Sequence, residues 1–334
     1  MAARAGIKQD WLRPVLLSTL VCVVTVIPGV LISTDDQPSK KPLDPAAWGS
    51  NHVDKPVPDY ITGGECLFCH RKEIGSQWAK NRHHLAIRPL AEEPKATRVL
   101  ASSLRGDPQF ALGSKKVLRF LRGSKTYGKL DLYSHAYNLA THESSSETKA
   151  TWQSGTFGRN CAGCHTTGVD HKTHAFSSIS IDCFSCHGEV DLKHSIDSSR
   201  MLFAAKAKTP ARVTISICAQ CHIRSGTSRS SRLPYASNFV PGDNLFRDLK
   251  VSFVDKDLAT LNPIDRHILE NVRDVVRFGK DSVSCLTCHQ VHKSSTDRHQ
   301  RLPKASAICS NCHESKGGKW TTKDYEMHSN TCQY

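Results

Sequence analysis

The sequence predicts a mainly α-helical fold with much irregular structure, one small β insert and an N-terminal transmembrane or signal helix, wrapped around bound groups in place of a continuous peptide core. Three observations predict it. Six copies of Cys-x-x-Cys-His run along 334 residues, and apolar residues make up only 38% of the chain, part of them in one N-terminal run. Three of the motifs crowd into residues 161–222, too densely for a peptide core to form between them.

The motifs are Cys66 to His70, Cys161 to His165, Cys183 to His187, Cys218 to His222, Cys285 to His289 and Cys309 to His313. This pentapeptide attaches c-type haem. Its two thiols (Cys66 and Cys69, Cys161 and Cys164, Cys183 and Cys186, Cys218 and Cys221, Cys285 and Cys288, Cys309 and Cys312) become thioethers, and the adjacent imidazole becomes the proximal iron ligand. With 18 His in the chain, chance would put one after a given Cys roughly one time in twenty, so six in six is decisive. Zinc sites have no use for a His after every second thiolate, and thiols two residues apart make strained, redox-active bridges and not structural staples. The expected cofactors are therefore six covalently attached haem c, whose apolar discs supply the missing core and on which folding should depend.

The formal charge of +14 would ordinarily suggest an anionic partner. Haem alters that sum. With both propionates ionised, each bis-imidazole haem adds about −1 when ferric and about −2 when ferrous, which takes the holoprotein to roughly +8 or +2. No nucleic-acid motif and no basic stripe with interleaved aromatics occurs, so no nucleic-acid partner is expected.

Arg4, Lys8 and Arg13 precede an apolar stretch from Val15 to Ile32, after which come Asp35 and Asp36. Such a segment directs export and, at the lower limit of length for a bilayer span, leaves the N-terminus in the cytoplasm. A poor cleavage site favours a retained anchor, so the expectation is a periplasmic protein tethered to the cytoplasmic membrane by residues 11–33. Residues 1–34 form this segment, and the Pro-rich residues 35–60 read as a tether. Residues 61–230 hold four motifs with a β insert near 110–140, where Val117 to Leu121 and Leu130 to Tyr137 look like strands. Residues 231–280 are a spacer with a helix over 263–278: Asn262 as cap, Pro263 in the first turn, Ile264, Ile268, Val272 and Val275 on one face, Gly279 at the end. Residues 281–334 hold a terminal motif pair. Cys161 and Cys183 form a similar pair by spacing, which suggests repeated two-haem units.

Cys161-Ala-Gly-Cys-His-Thr-Thr-Gly-Val, followed by Cys183-Phe-Ser-Cys-His-Gly and His194, resembles multihaem cytochromes of the cytochrome c554 family and their hydroxylamine oxidoreductase relatives. Cys285-Leu-Thr-Cys-His-Gln-Val-His292 resembles doubled Cys-x-x-Cys-His domains. The resemblance covers about residues 61–330. It implies a multihaem cytochrome c fold around closely stacked haems, mostly with a second His on iron, and an electron-transfer role. His328-Ser-Asn-Thr-Cys332 stops two residues short of what would be a seventh motif, an expectation that the coding DNA beyond Tyr334 would test.

Outside the motifs stand twelve His, more than six irons need, whereas Met is scarce. This predicts bis-His haems, with proximal ligands His70, His165, His187, His222, His289 and His313. The distal candidates are His194 and His292, which match the family pattern and would reach a neighbouring iron, then His83 or His84 near Trp78, then His328. His135, His142, His171 and His174 form a reserve, His267 is ligand or core, and His52 and His299 are expected in solvent. Among loop residues, Arg224, Arg229 and Arg232 are solvated or pair with propionates. No catalytic residue is assigned. The His surplus favours an electron carrier with redox partner proteins, free-standing or a subunit of a respiratory complex. The alternative is an oxidoreductase acting on a small nitrogen or sulfur oxo-compound at one open iron, for which Tyr133, Tyr137 or Tyr235 could serve as a haem cross-link.

Overall fold

The computed structural model describes residues 43–104, 106–145, 149–203, 209–279, 284–293 and 299–301. The N-terminal segment and the motif at Cys309 to His313, with His328 and Cys332, lie outside the described residues. Among the described residues no helix is long and apolar enough to cross a membrane.

Helix and sheet are mixed, a correction to the mainly helical expectation. The β insert is wider than the two strands legible in the sequence. Strands β1 (Ile87–Pro89), β2 (Phe110–Leu112), β3 (Val117–Gly123), β4 (Leu130–Asn138) and β5 (Glu143–Ser144) form one antiparallel sheet in that order, and β6 (Trp152–Gln153) pairs with β4. Side chains alternate between faces of a strand, so β3 sends Leu121 to one face and Phe120 to the other. Leu121 joins Ile87, Leu130, Leu132 and Phe157 in one apolar cluster, and Phe120 joins Ala111, Leu118 and Tyr133 in a second. The first cluster includes Ala162, so one face of the sheet supports the second motif directly.

A third cluster lies in what spacing suggested was a spacer. The helix Pro263–Phe278 buries Leu269, Val272, Val275 and Val276 against Ile215 and Ala219 of the helix Ala211–His222, with Leu245, Phe246 and Leu249 between. Asn262 caps the first helix by accepting from Ile264 N and Asp265 N at 3.1 Å each, and Gly279 ends it with φ 65° in the left-handed region. The peptide core is thus larger than the composition suggested, because short non-periodic segments such as 245–249 contribute to it. Of the expected tether, residues near Trp48 lie against this body: Asn244 Nδ2 donates to Pro45 O at 2.9 Å and to Trp48 O.

Apart from Ala211–His222, which carries the fourth motif, the motif helices are short. Gly63–His70 is held by a capping box in which Thr62 and Glu65 satisfy each other's backbone N–H, but Ala162–His165, Phe184–His187 and Cys285–Cys288 run for four residues each. In water an isolated helix below about 12 residues is marginal, so these turns are set by what surrounds them.

Candidate haem-binding site

Thiols from different motifs meet. Cys66 hydrogen-bonds with Cys183, Cys164 with Cys221, and Cys218 with Cys285. Backbone contacts run alongside: Cys164 Sγ reaches Gln220 O at 3.7 Å, Cys221 Sγ reaches Gly163 O at 3.8 Å, and Gln220 Nε2 donates to Ser185 O at 3.0 Å. The first motif therefore adjoins the third, and the fourth adjoins the second, third and fifth. Sequence neighbours are in contact, the third motif with the fourth and the fourth with the fifth, and Thr167, just after the second motif, hydrogen-bonds Ser185 of the third at 2.9 Å. These sulfurs are thiols here and stand where thioethers would be in the haem-bearing protein. Burial pushes the Cys186 thiol up to about 11, with the Asp182 charge adding to it, whereas hydrogen bonds from Cys183, Cys221 and Cys218 lower Cys66, Cys164 and Cys285.

Asp182 pins the first and third motifs together. Its carboxylate accepts from Tyr60 Oη, from Gly63 N at 3.4 Å and from Phe184 N at 3.1 Å. Burial holds it above the ordinary carboxylate range against those hydrogen bonds. The second motif is fixed from behind. Tyr235 donates from Oη to Gly158 O at 2.6 Å, and its ring lies so close to Gly163 that a Cβ there would meet ring carbons at 2.2 Å. We expect Gly163→Ala to lower stability by about 1–3 kcal/mol through overpacking and to reduce haem attachment at Cys161 and Cys164. Thermal melting and haem content per chain measure both. The double variant with Tyr235→Ala should recover much of the loss, and a Gly163→Ala variant with an unchanged melting temperature would contradict this packing.

Histidines come together in twos. The rings of His70 and His194 lie 6.2 Å apart at 27°, those of His187 and His292 5.9 Å at 28°, and those of His83 and His222 6.2 Å at 74°. Two imidazoles bonded to opposite sides of one metal, each about 2.0 Å from it through nitrogen, put their ring centroids about 6 Å apart. Their other nitrogens are anchored: His70 Nδ1 on Glu73 at 3.2 Å, His194 Nδ1 on Asp191 O at 2.8 Å, and His187 Nδ1 on Leu202 O at 3.0 Å. That is the usual way a ligating imidazole is oriented, leaving Nε2 for the metal. Burial holds His83 down at about 4, with the charges of His222 and His299 adding to it, and also lowers His165, His187, His222 and His292. The neutral ring is the form that binds a metal. Among the described residues no three His, Cys, Asp or Glu side chains are arranged to hold a metal ion. Donor pairs suffice for haem, whose macrocycle supplies the other four ligands, so the residues fit the group.

The remaining histidines differ. His84 is exposed and 6.0 Å from Trp78, facing no described motif imidazole. His289 and His299 lie near enough for their charge to act on His222. His299 was expected in solvent, yet its ring nitrogens are buried and its ring is 5.2 Å from His83, because a backbone bond from Gln290 N to His299 O at 2.6 Å folds its loop onto the fifth motif. His52 was expected in solvent too. It pairs through Nδ1 with the buried carboxylate of Asp243 at 2.8 Å. Neither position has a periodic or spacing signal in the sequence. His135 bonds Ser144 at the sheet edge, His267 bonds Asn271, and Tyr133 packs in the sheet cluster. Arg224 sits 3.7 Å from Asp265, and its charge depresses His165 and His222 after burial.

Three likenesses to known proteins are found. The model of the family described as doubled CXXCH motif matches residues 278–318, and that described as cytochrome c554 and c-prime matches residues 124–188. The fold is similar to the crystal structure of the outer cell wall cytochrome OcwA, with TM-score 0.51 and 21% sequence identity, covering 78% of this chain and 68% of that one. No curated protein matches the chain.

Proposed function

Because this chain is a multihaem c-type cytochrome, we propose that it holds six haems and passes electrons from a donor in the cytoplasmic membrane to a periplasmic acceptor. Haem c bound at such motifs supplies one-electron chemistry. The observation that carries the reading is the set of facing imidazoles: His70 with His194, His187 with His292, and His222 with His83. With haem bound, two histidines holding each iron would leave no place for a substrate. Export and tethering by residues 11–33 are supported by the charged start and apolar run, and the carrier acts alone or as a subunit of a respiratory complex.

One observation favours a second reading. Among the described residues no second imidazole contacts the His165 ring, whose buried Nδ1 has no hydrogen-bond partner. That iron is then the place for a small nitrogen or sulfur oxo-compound. Electron paramagnetic resonance of the oxidised protein decides between the readings. A carrier should give six low-spin haems and no carbon monoxide adduct. One high-spin haem that binds carbon monoxide and disappears in a Cys161→Ser, Cys164→Ser variant would instead assign the chemistry to the second motif.

A further inference from the structure

The imidazole of the third motif is oriented by a strained turn. His187 Nδ1 donates to Leu202 O at 3.0 Å, and the next residue, Phe203, has φ 65°. A bulky side chain rarely takes this left-handed region, because its Cβ crowds the backbone there. The other non-glycine residues with positive φ among those described are Asp, Asn, Ser, His or Arg, so Phe203 is the one apolar case. Such a conformation persists only where the surroundings impose it, and it concentrates at functional sites.

Two contacts impose it. Thr209 Oγ accepts from Phe203 N at 2.8 Å, and the rings of Phe203 and His187 lie edge to face, 5.9 Å apart at 84°. The hydroxyl sets the backbone of the turn, and the phenyl ring rests on the same imidazole that the turn orients. Close packing alone does not fix it, since His187, Leu202 and Thr209 also line a cavity of about 490 Å³.

An imidazole N–H that donates to a carbonyl makes the ring's other nitrogen a stronger donor to iron, which favours the ferric state and lowers the potential. The acceptor here is a main-chain oxygen, so the strength of this bond depends on where the turn places Leu202.

We propose that Thr209 and Phe203 are positioning residues for the third haem, holding Leu202 O on His187 and so keeping the potential of that haem low. This rests on the reading of His187 as an axial ligand. The mass of the peptide holding Cys183 and Cys186 checks that premise separately in the unaltered protein, and a peptide without haem would overturn both. Redox titration of the haem-loaded full chain, followed by absorbance and electron paramagnetic resonance, then tests the turn itself. Thr209→Val keeps the side-chain shape and removes the acceptor. One haem should then titrate at a higher potential while staying low spin, with the other haems and the melting temperature little changed. Thr209→Ser, which keeps the hydroxyl, should restore the original value. Phe203→Ala should move the same haem in the same direction and gives the answer if Thr209→Val fails to fold. Potentials that do not move, or that all move together as a general loosening would make them, overturn the proposal.

Discussion

Replacing His292 by glycine is expected to turn one haem from low spin to high spin, and added imidazole should turn it back. His292 faces His187 at 5.9 Å, with the ring of Trp78 edge-on at 6.1 Å. Asn81 Nδ2 donates to Val291 O at 2.6 Å and so holds the backbone beside His292. The substitution removes the proposed ligand without disturbing that scaffold, and the space left has the shape of the probe that refills it. Loss of a strong axial donor should also move that haem's potential upward. Absorbance and electron paramagnetic resonance report the spin change. His84→Gly serves as the control, since His84 opposes no described motif imidazole. A fully low-spin His292→Gly protein would remove His292 from the ligand set.

The second large effect concerns the chain without haem. Expressed in a compartment that lacks haem attachment, it should show no cooperative thermal transition for the motif regions, whereas the haem-loaded protein melts cooperatively. The reason lies in the four-residue motif helices. No residue of Phe184–His187 or Cys285–Cys288 is fully buried, so the polypeptide compensates only part of the entropy of ordering them. Thiols in hydrogen-bonding contact contribute little in place of an apolar disc. The sheet β1–β6 has apolar residues on both faces and should persist as residual β signal in circular dichroism. A native-like, cooperatively melting apoprotein would show that haem is cargo and not core.

Some of this was legible in the residues and some was not, for physical reasons. The helix Pro263–Phe278 announces itself by cap, proline, apolar period and terminal glycine, all local signals. The strands β3 and β4 alternate over seven and nine residues and could be read, whereas β1 and β2, at three residues, have no period to read. The positions beside His70 and His187 are filled by His194 and His292, the two that follow a motif closely, but which iron each would serve is a matter of tertiary contact. His83 is chosen over His84 by the direction a turn takes at Asn81, whose side chain accepts from His83 N at 2.9 Å. The burial of His299 and the His52–Asp243 pair depend on loops closing across many residues, and no composition or spacing encodes that.

The contacts of the Ala211–His222 helix have a consequence for traffic through the molecule. Its motif borders three others, while the first motif borders only the third among those traced here. Attachment points laid out in this way form a junction with arms, not a queue. Damage at an arm tip would leave the other links intact, but damage at the crossroads would leave the second and fifth motifs only the side links from the third, through Thr167 and through His292.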